Sequence, residues 1–129
     1  MAKKVADQLV DTLEKAGVRR IYAVTGDSLN EVNEAVRKNG RLRWIHVRHE
    51  ETGAYAAAAE AQLTGELACC AGSSGPGHVH LINGLYDAND PEHGSWRSLP
   101  RSLPGSLVRN ISKRQIRSNY SMIVAIITK

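Results

Sequence analysis

Helical and strand periodicities alternate through the first 89 of the 129 residues, and this alternation restricts the fold more than any other feature of the chain. Val5, Leu9, Leu13 and Ala16 recur at helical spacing, with Asp7 near the start and Gly17 as a stop, so residues 3–16 read as an amphipathic helix. A short apolar strand follows at 21–24. Asp27 or Ser28 is then placed to cap a second helix running to about residue 38, which Asn39 and Gly40 end. Residues 44–47 read as a second strand, 50–63 as an alanine-rich helix and 67–71 as a third strand buried on both faces. A glycine-rich turn at 72–77 opens a last helix through about residue 88. The pattern predicts a three-layer α/β unit with three parallel strands and flanking helices, whose ligands sit beyond the carboxyl ends of the strands.

Composition separates this unit from the rest of the chain. Residues 1–89 hold 10 Lys or Arg against 11 Asp or Glu, whereas residues 90–129 hold 7 against 2, so the net charge of +4 resides in the tail. The tail also carries seven serines and three of the four prolines. Its Arg97, Arg101, Arg109, Lys113, Arg114 and Arg117 invite a nucleic-acid reading, but Trp96 and Tyr120 are its only aromatics, too few for stacking on single strands. No nucleic-acid partner is therefore expected. Residues 121–128 are apolar and β-branched enough for a strand, with its pairing left open. No run of about 20 apolar residues is present, and the polar start lacks a signal-peptide core, so the expectation is a cytoplasmic protein without a membrane segment. Cys69 and Cys70 are adjacent and would face opposite sides of a strand, which suits reduced core residues.

Three loops at strand ends collect the polar residues: 25–28, 49–51 and 72–77. Any one of them alone could be turn punctuation or helix-start charge; three following strands point to one crevice. The sequence GSSGPG at 72–77 is neither a dinucleotide fingerprint nor a Walker loop, although a helix start can hold an anion. His49 and Glu50 begin like a metalloprotease helix, but Gly53 stands where the second zinc-ligating histidine belongs. His78 and His80 lack a third ligand nearby in sequence, and no metal-ligating residues are assigned.

The segments YAVTGDSLN at 22–30, RHEE at 48–51, AEAQLTG at 59–65, CAGSSGPG at 70–77 and LINGLYDA at 81–88 closely resemble the N-terminal pyrimidine-binding domain of thiamine diphosphate enzymes. Within that family the resemblance runs to pyruvate oxidase, including the bacterial quinone-dependent pyruvate dehydrogenase. It implies thiamine diphosphate as ligand and pyruvate decarboxylation as the parent activity. In the family a glutamate hydrogen-bonds N1′ of the aminopyrimidine, favours its imino tautomer, and lets the 4′-nitrogen take the C2 proton. Glu50 matches that glutamate, and burial in an apolar cleft is expected to raise its pKa. Glu51 is expected to point elsewhere and be solvated. Ser73, Pro76 and Gly77 match the wall against the pyrimidine, while Thr25, Gly26, Asp27 and Ser28 match a loop lining the substrate pocket. His80 stands where acetolactate synthases have Asn, which favours the oxidase branch.

The resemblance also implies that the diphosphate, its Mg²⁺ and FAD belong to domains absent here, so residues 1–89 supply at best half a site, inactive alone or paired with a full-length homologous subunit. Rebuilding codons in a shifted frame, with permitted codon choices, can turn 96–100 into LAIAA, 108–113 into GPEYFQ and 120–127 into LFHDCSHY, which resemble successive pieces of pyruvate oxidase. A frameshift near 89–94 is the expectation, with 90–129 an out-of-frame tail. Loss of later strands would leave an unpaired sheet edge and marginal stability.

Overall fold

A computed structural model of the protein describes residues 4–88 and 122–127; the expectations for residues 89–121 lie outside the described residues. Helices α1 (Val5–Lys15), α2 (Asn30–Asn39), α3 (Glu50–Thr64) and α4 (Pro76–Ala88) alternate with strands β1 (Arg20–Ala23), β2 (Arg43–His46) and β3 (Ala68–Ser73). A last strand, β4, spans Met122–Ile127. The sheet order is β2-β1-β3-β4, with β1 parallel to both β2 and β3 and β4 antiparallel to β3. The three expected parallel strands are present, their ends displaced by a residue or two.

Alternation along the strands sorts the core into two layers. Ile21, Ala23, Cys69 and Ala71 pack with Val10, Leu13, Val32 and Val36 of α1 and α2. Tyr22, Ala68 and Cys70 face the other way, against Ala54, Ala57 and Ala61 of α3 and Leu81 and Ala88 of α4. The two cysteines thus lie on opposite faces of β3, reduced and fully buried, as the strand period requires.

Two expectations are corrected here. The outer side of β3 is not left unpaired: Ala68 to Ser73 register with Ile127 to Met122, and Ile127 enters the core beside α3 and α4. The β-branched run of the tail finds its partner in the strand that most needs one, because β3 is buried on both faces. Nor do Asp27 and Ser28 cap the second helix. Residues Asp27–Leu29 form a separate 3₁₀ turn, and neither that turn nor α2 has a side-chain cap. Among the described residues no helix is long and apolar enough to cross a membrane.

Candidate functional site

Because β1, β2 and β3 run parallel, the loops that follow them open at one end of the sheet. Glu50 is the first residue of α3, after the β2 loop; His80 lies on α4, after the β3 loop. His80 Nδ1 and Glu50 Oε2 are 3.0 Å apart. The Glu50 side chain is 12% exposed, and its other oxygen, Oε1, lies 3.1 Å from where a Cβ on Gly77 would stand. Glycine at 77 therefore permits a close approach of the carboxylate that a side chain there would crowd.

The expected rise in the Glu50 pKa is reversed in the free chain. Burial pushes the carboxyl up, but the His80 hydrogen bond, the backbone N–H at the helix start and the neighbouring histidines together hold it below the ordinary carboxylate value. His49, immediately before α3, stacks on His80 with ring centroids 4.4 Å apart and planes 28° apart. Glu51 is not simply solvated: its Oε1 accepts a 2.9 Å hydrogen bond from Asn83 Nδ2 on α4. Both carboxylates at the start of α3 therefore reach across to α4.

The β1 loop joins the same rim through Ser28. Its hydroxyl bonds the Ser73 hydroxyl at 2.8 Å and accepts from the Ser74 N–H at 3.1 Å. Ser28 thus ties two loops together instead of capping a helix. The approach is close: a Cβ on Gly26 would lie 2.7 Å from both Ser73 Cβ and Oγ. Thr25 stands exposed on the β1 loop, Asp27 at the start of the 3₁₀ turn and Pro76 at the first position of α4, and Gly77 is buried. The structure brings Glu50, His80 and Gly77 into one cluster and Ser28 with Ser73 into another, bordering opposite ends of the β3–α4 turn. His78 joins neither pair; its Nε2 is buried without a hydrogen-bond partner, and burial pushes its pKa down. Residues two apart on a helix face different directions, so His78 and His80 do not form a ligand pair. A cavity of about 390 Å³ lined by Glu14, Gly17, Val18, Arg19 and Arg41 sits at the amino ends of the strands, away from this rim.

A recessed carboxylate packed against a glycine is a hydrogen-bonding group that a nitrogen heterocycle can use. Residues 3–91 match the family of the thiamine pyrophosphate enzyme, N-terminal TPP binding domain, and the chain belongs to that family. It is 63% identical over 86 residues to an uncharacterized 42.6 kDa protein of the isoamylase 3′ region in Pseudomonas amyloderamosa, covering 67% of this chain and 22% of that protein. It is 48% identical over 83 residues to pyruvate oxidase of Lactiplantibacillus plantarum, covering 64% of this chain and 14% of that enzyme. Identity to a chloroplastic acetolactate synthase of Arabidopsis thaliana is 37% over 86 residues, 67% of this chain and 13% of that enzyme. The chain thus spans less than a quarter of the length of these relatives.

Proposed function

We propose that residues 3–89 supply the pyrimidine half of a thiamine diphosphate site of the pyruvate oxidase type, and that the chain alone does not turn over. The carrying observation is the recessed Glu50 carboxylate at the start of α3, hydrogen-bonded to His80 and packed against Gly77 of α4. The bound cofactor supplies the carbanion chemistry needed to decarboxylate a 2-oxo acid such as pyruvate. Glu50 holds a proton at the ring nitrogen N1′. To do so it exchanges its His80 partner for the heterocycle, and loss of that hydrogen bond together with further burial moves its pKa upward, towards the value a proton-sharing carboxyl needs. His80, once released, borders the reacting end with the Ser28 and Ser73 hydroxyls, while Thr25, Gly26, Asp27 and Pro76 frame the loops.

The diphosphate, Mg²⁺ and FAD belong, on this reading, to domains outside the matched segment. Without them the pyrimidine contacts alone must offset the entropy of binding. A full-length homologous subunit is the fitting partner, because Tyr55, Val79, Ile82 and Tyr86 leave large apolar side chains exposed on α3 and α4. Residues 90–129 are read as out of frame; DNA in which the alternative frame does not continue the family's sequence overturns that.

The test is a chimera in which residues 3–88 replace the matching segment of the Lactiplantibacillus plantarum enzyme. Glu50→Gln should preserve folding but slow hydrogen-deuterium exchange at cofactor C2 by about 10²-fold or more. Equal rates in the parent chimera and the variant would overturn the assignment. The unfused chain, given thiamine diphosphate, Mg²⁺ and FAD, should oxidise pyruvate no faster than its Glu50→Ala variant.

A further inference from the structure

The fold brings a third potential ligand to two that adjoin in sequence. His49 precedes α3, Glu50 begins it, and His80 arrives 30 residues later on α4. One ligand atom from each lies within 4.8 Å of the others. We propose that these side chains form a three-ligand site for a divalent metal ion of the zinc class, bound by this chain without any cofactor.

The donor set selects the metal. Two imidazoles and one carboxylate suit Zn²⁺ and its neighbours Co²⁺, Ni²⁺ and Cu²⁺, whereas Mg²⁺ and Ca²⁺ prefer oxygen alone. Metal–ligand bonds of about 2.1 Å in a tetrahedron place ligand atoms about 3.4 Å apart. The His80 Nδ1 to Glu50 Oε2 distance of 3.0 Å needs only slight widening. The third atom, within 4.8 Å, must close by roughly 1.4 Å, a displacement that side-chain rotation supplies.

The neighbourhood is ordered for this. The stacked rings of His49 and His80 restrain each other, and the His49 Nδ1 lies 3.8 Å from Glu51 Oε2, whose carboxylate is in turn anchored by Asn83. A carboxylate beside a ligating histidine orients the ring and strengthens it as a ligand. The His49 and His80 side chains are 47% and 40% exposed, so a fourth position opens to water. Three protein ligands and one open position are the arrangement of catalytic zinc sites, and it arises here without the histidine that Gly53 replaces. Glu50 cannot ligate a metal and hydrogen-bond a pyrimidine at once, so the two ligands compete for it.

Zinc titration of the full chain by calorimetry, with no thiamine diphosphate present, tests this independently of the half-site reading. One Zn²⁺ should bind per chain. His49→Ala and His80→Ala should each weaken binding about tenfold or more, while His46→Ala, at an exposed histidine outside the trio, should change it by less than about twofold. Bound Co²⁺ should give the visible spectrum of a tetrahedral nitrogen and oxygen site, without thiolate charge transfer. His49→Ala, at a surface position, keeps the test decisive should His80→Ala fail to fold. Absence of binding, equal loss in His46→Ala, or retention of full affinity in His49→Ala would overturn the proposal.

Discussion

The two sides of the sheet are built from different materials. On the α1/α2 side, Val10, Leu13, Ile21, Leu29, Val32 and Val36 fill the interior, and the outward faces carry charge, as in the Lys4–Glu31 pair at 2.8 Å and the Arg37–Glu34 pair at 2.6 Å. On the α3/α4 side the interior is largely alanine and glycine, while Tyr55, Val79, Ile82 and Tyr86 face outward. Large buried side chains contribute stability through the apolar area they remove from water. Small ones contribute less and permit closeness. Gly84 shows the extent: a Cβ there would lie 2.5 Å from Ala54 Cβ and 2.9 Å from the Tyr55 nitrogen. That closeness lets Glu50 reach His80 and Glu51 reach Asn83 across the helix pair. One side holds the fold together, and the other holds the site.

The cysteines report on both sides at once, because Cys69 belongs to the first core and Cys70 to the second. Burial pushes the Cys69 thiol well up and the Cys70 thiol to about 12. Both should be alkylated about a thousandfold more slowly than in unfolded chain, since reaction awaits opening. Below the unfolded value near 9.0 the thiols are neutral in both states and add no pH dependence; stability falls as pH climbs from there towards about 12, because the unfolded chain ionises first. Mass spectrometry of the modified protein reads each site. Equal rates mean the two sides open together; faster reaction at Cys70 would show that the small-residue side opens on its own.

Truncation should expose the same contrast in stability. Leu13→Ala is expected to cost about 3 kcal/mol by urea denaturation, since it empties a fully buried position among large neighbours. Adding a methyl on the other side should cost less but act on the site. Gly84→Ala forces α3 and α4 apart and should destabilise by about 1–3 kcal/mol. It should also broaden or shift the His80 ring resonances in NMR, because the separation that permits the Glu50 hydrogen bond changes. A Gly84→Ala protein with unchanged His80 resonances would break the link between small residues and site geometry.

Periodicity made the layers legible, since each helix and parallel strand repeats a local pattern along one stretch of chain. It also placed Cys69 and Cys70 on opposite faces. Contacts between distant segments were less accessible. The partner of β4, the Ser28–Ser73 bond and the stacking of His49 on His80 depend on where separate elements come to rest. Residue type gave no warning that Ser28 would bridge loops, because a serine at that place serves a cap equally well. The direction of the Glu50 pKa was missed for the same reason: burial was foreseeable, whereas the largest of the several contributions that together overcome it, the His80 hydrogen bond, comes from 30 residues away.

Glu51→Gln should have the smallest effect and separates the two adjacent carboxylates most cleanly. The glutamine amide oxygen can still accept from Asn83 Nδ2, so the hydrogen bond between α3 and α4 survives with loss of its charge assistance alone. Glu51 is an exposed partner in that bond, and the expected cost is below about 1 kcal/mol in thermal or urea denaturation. In the chimera, C2 exchange should remain within about threefold of the parent, against the hundredfold loss expected for Glu50→Gln. The contrast follows from position. Of the two carboxylates, Glu50 is the recessed one packed against Gly77, whereas Glu51 is engaged with Asn83 between the helices. A larger loss from Glu51→Gln than from Glu50→Gln would move the proton-sharing role one residue along the helix and detach it from the glycine turn that now frames it.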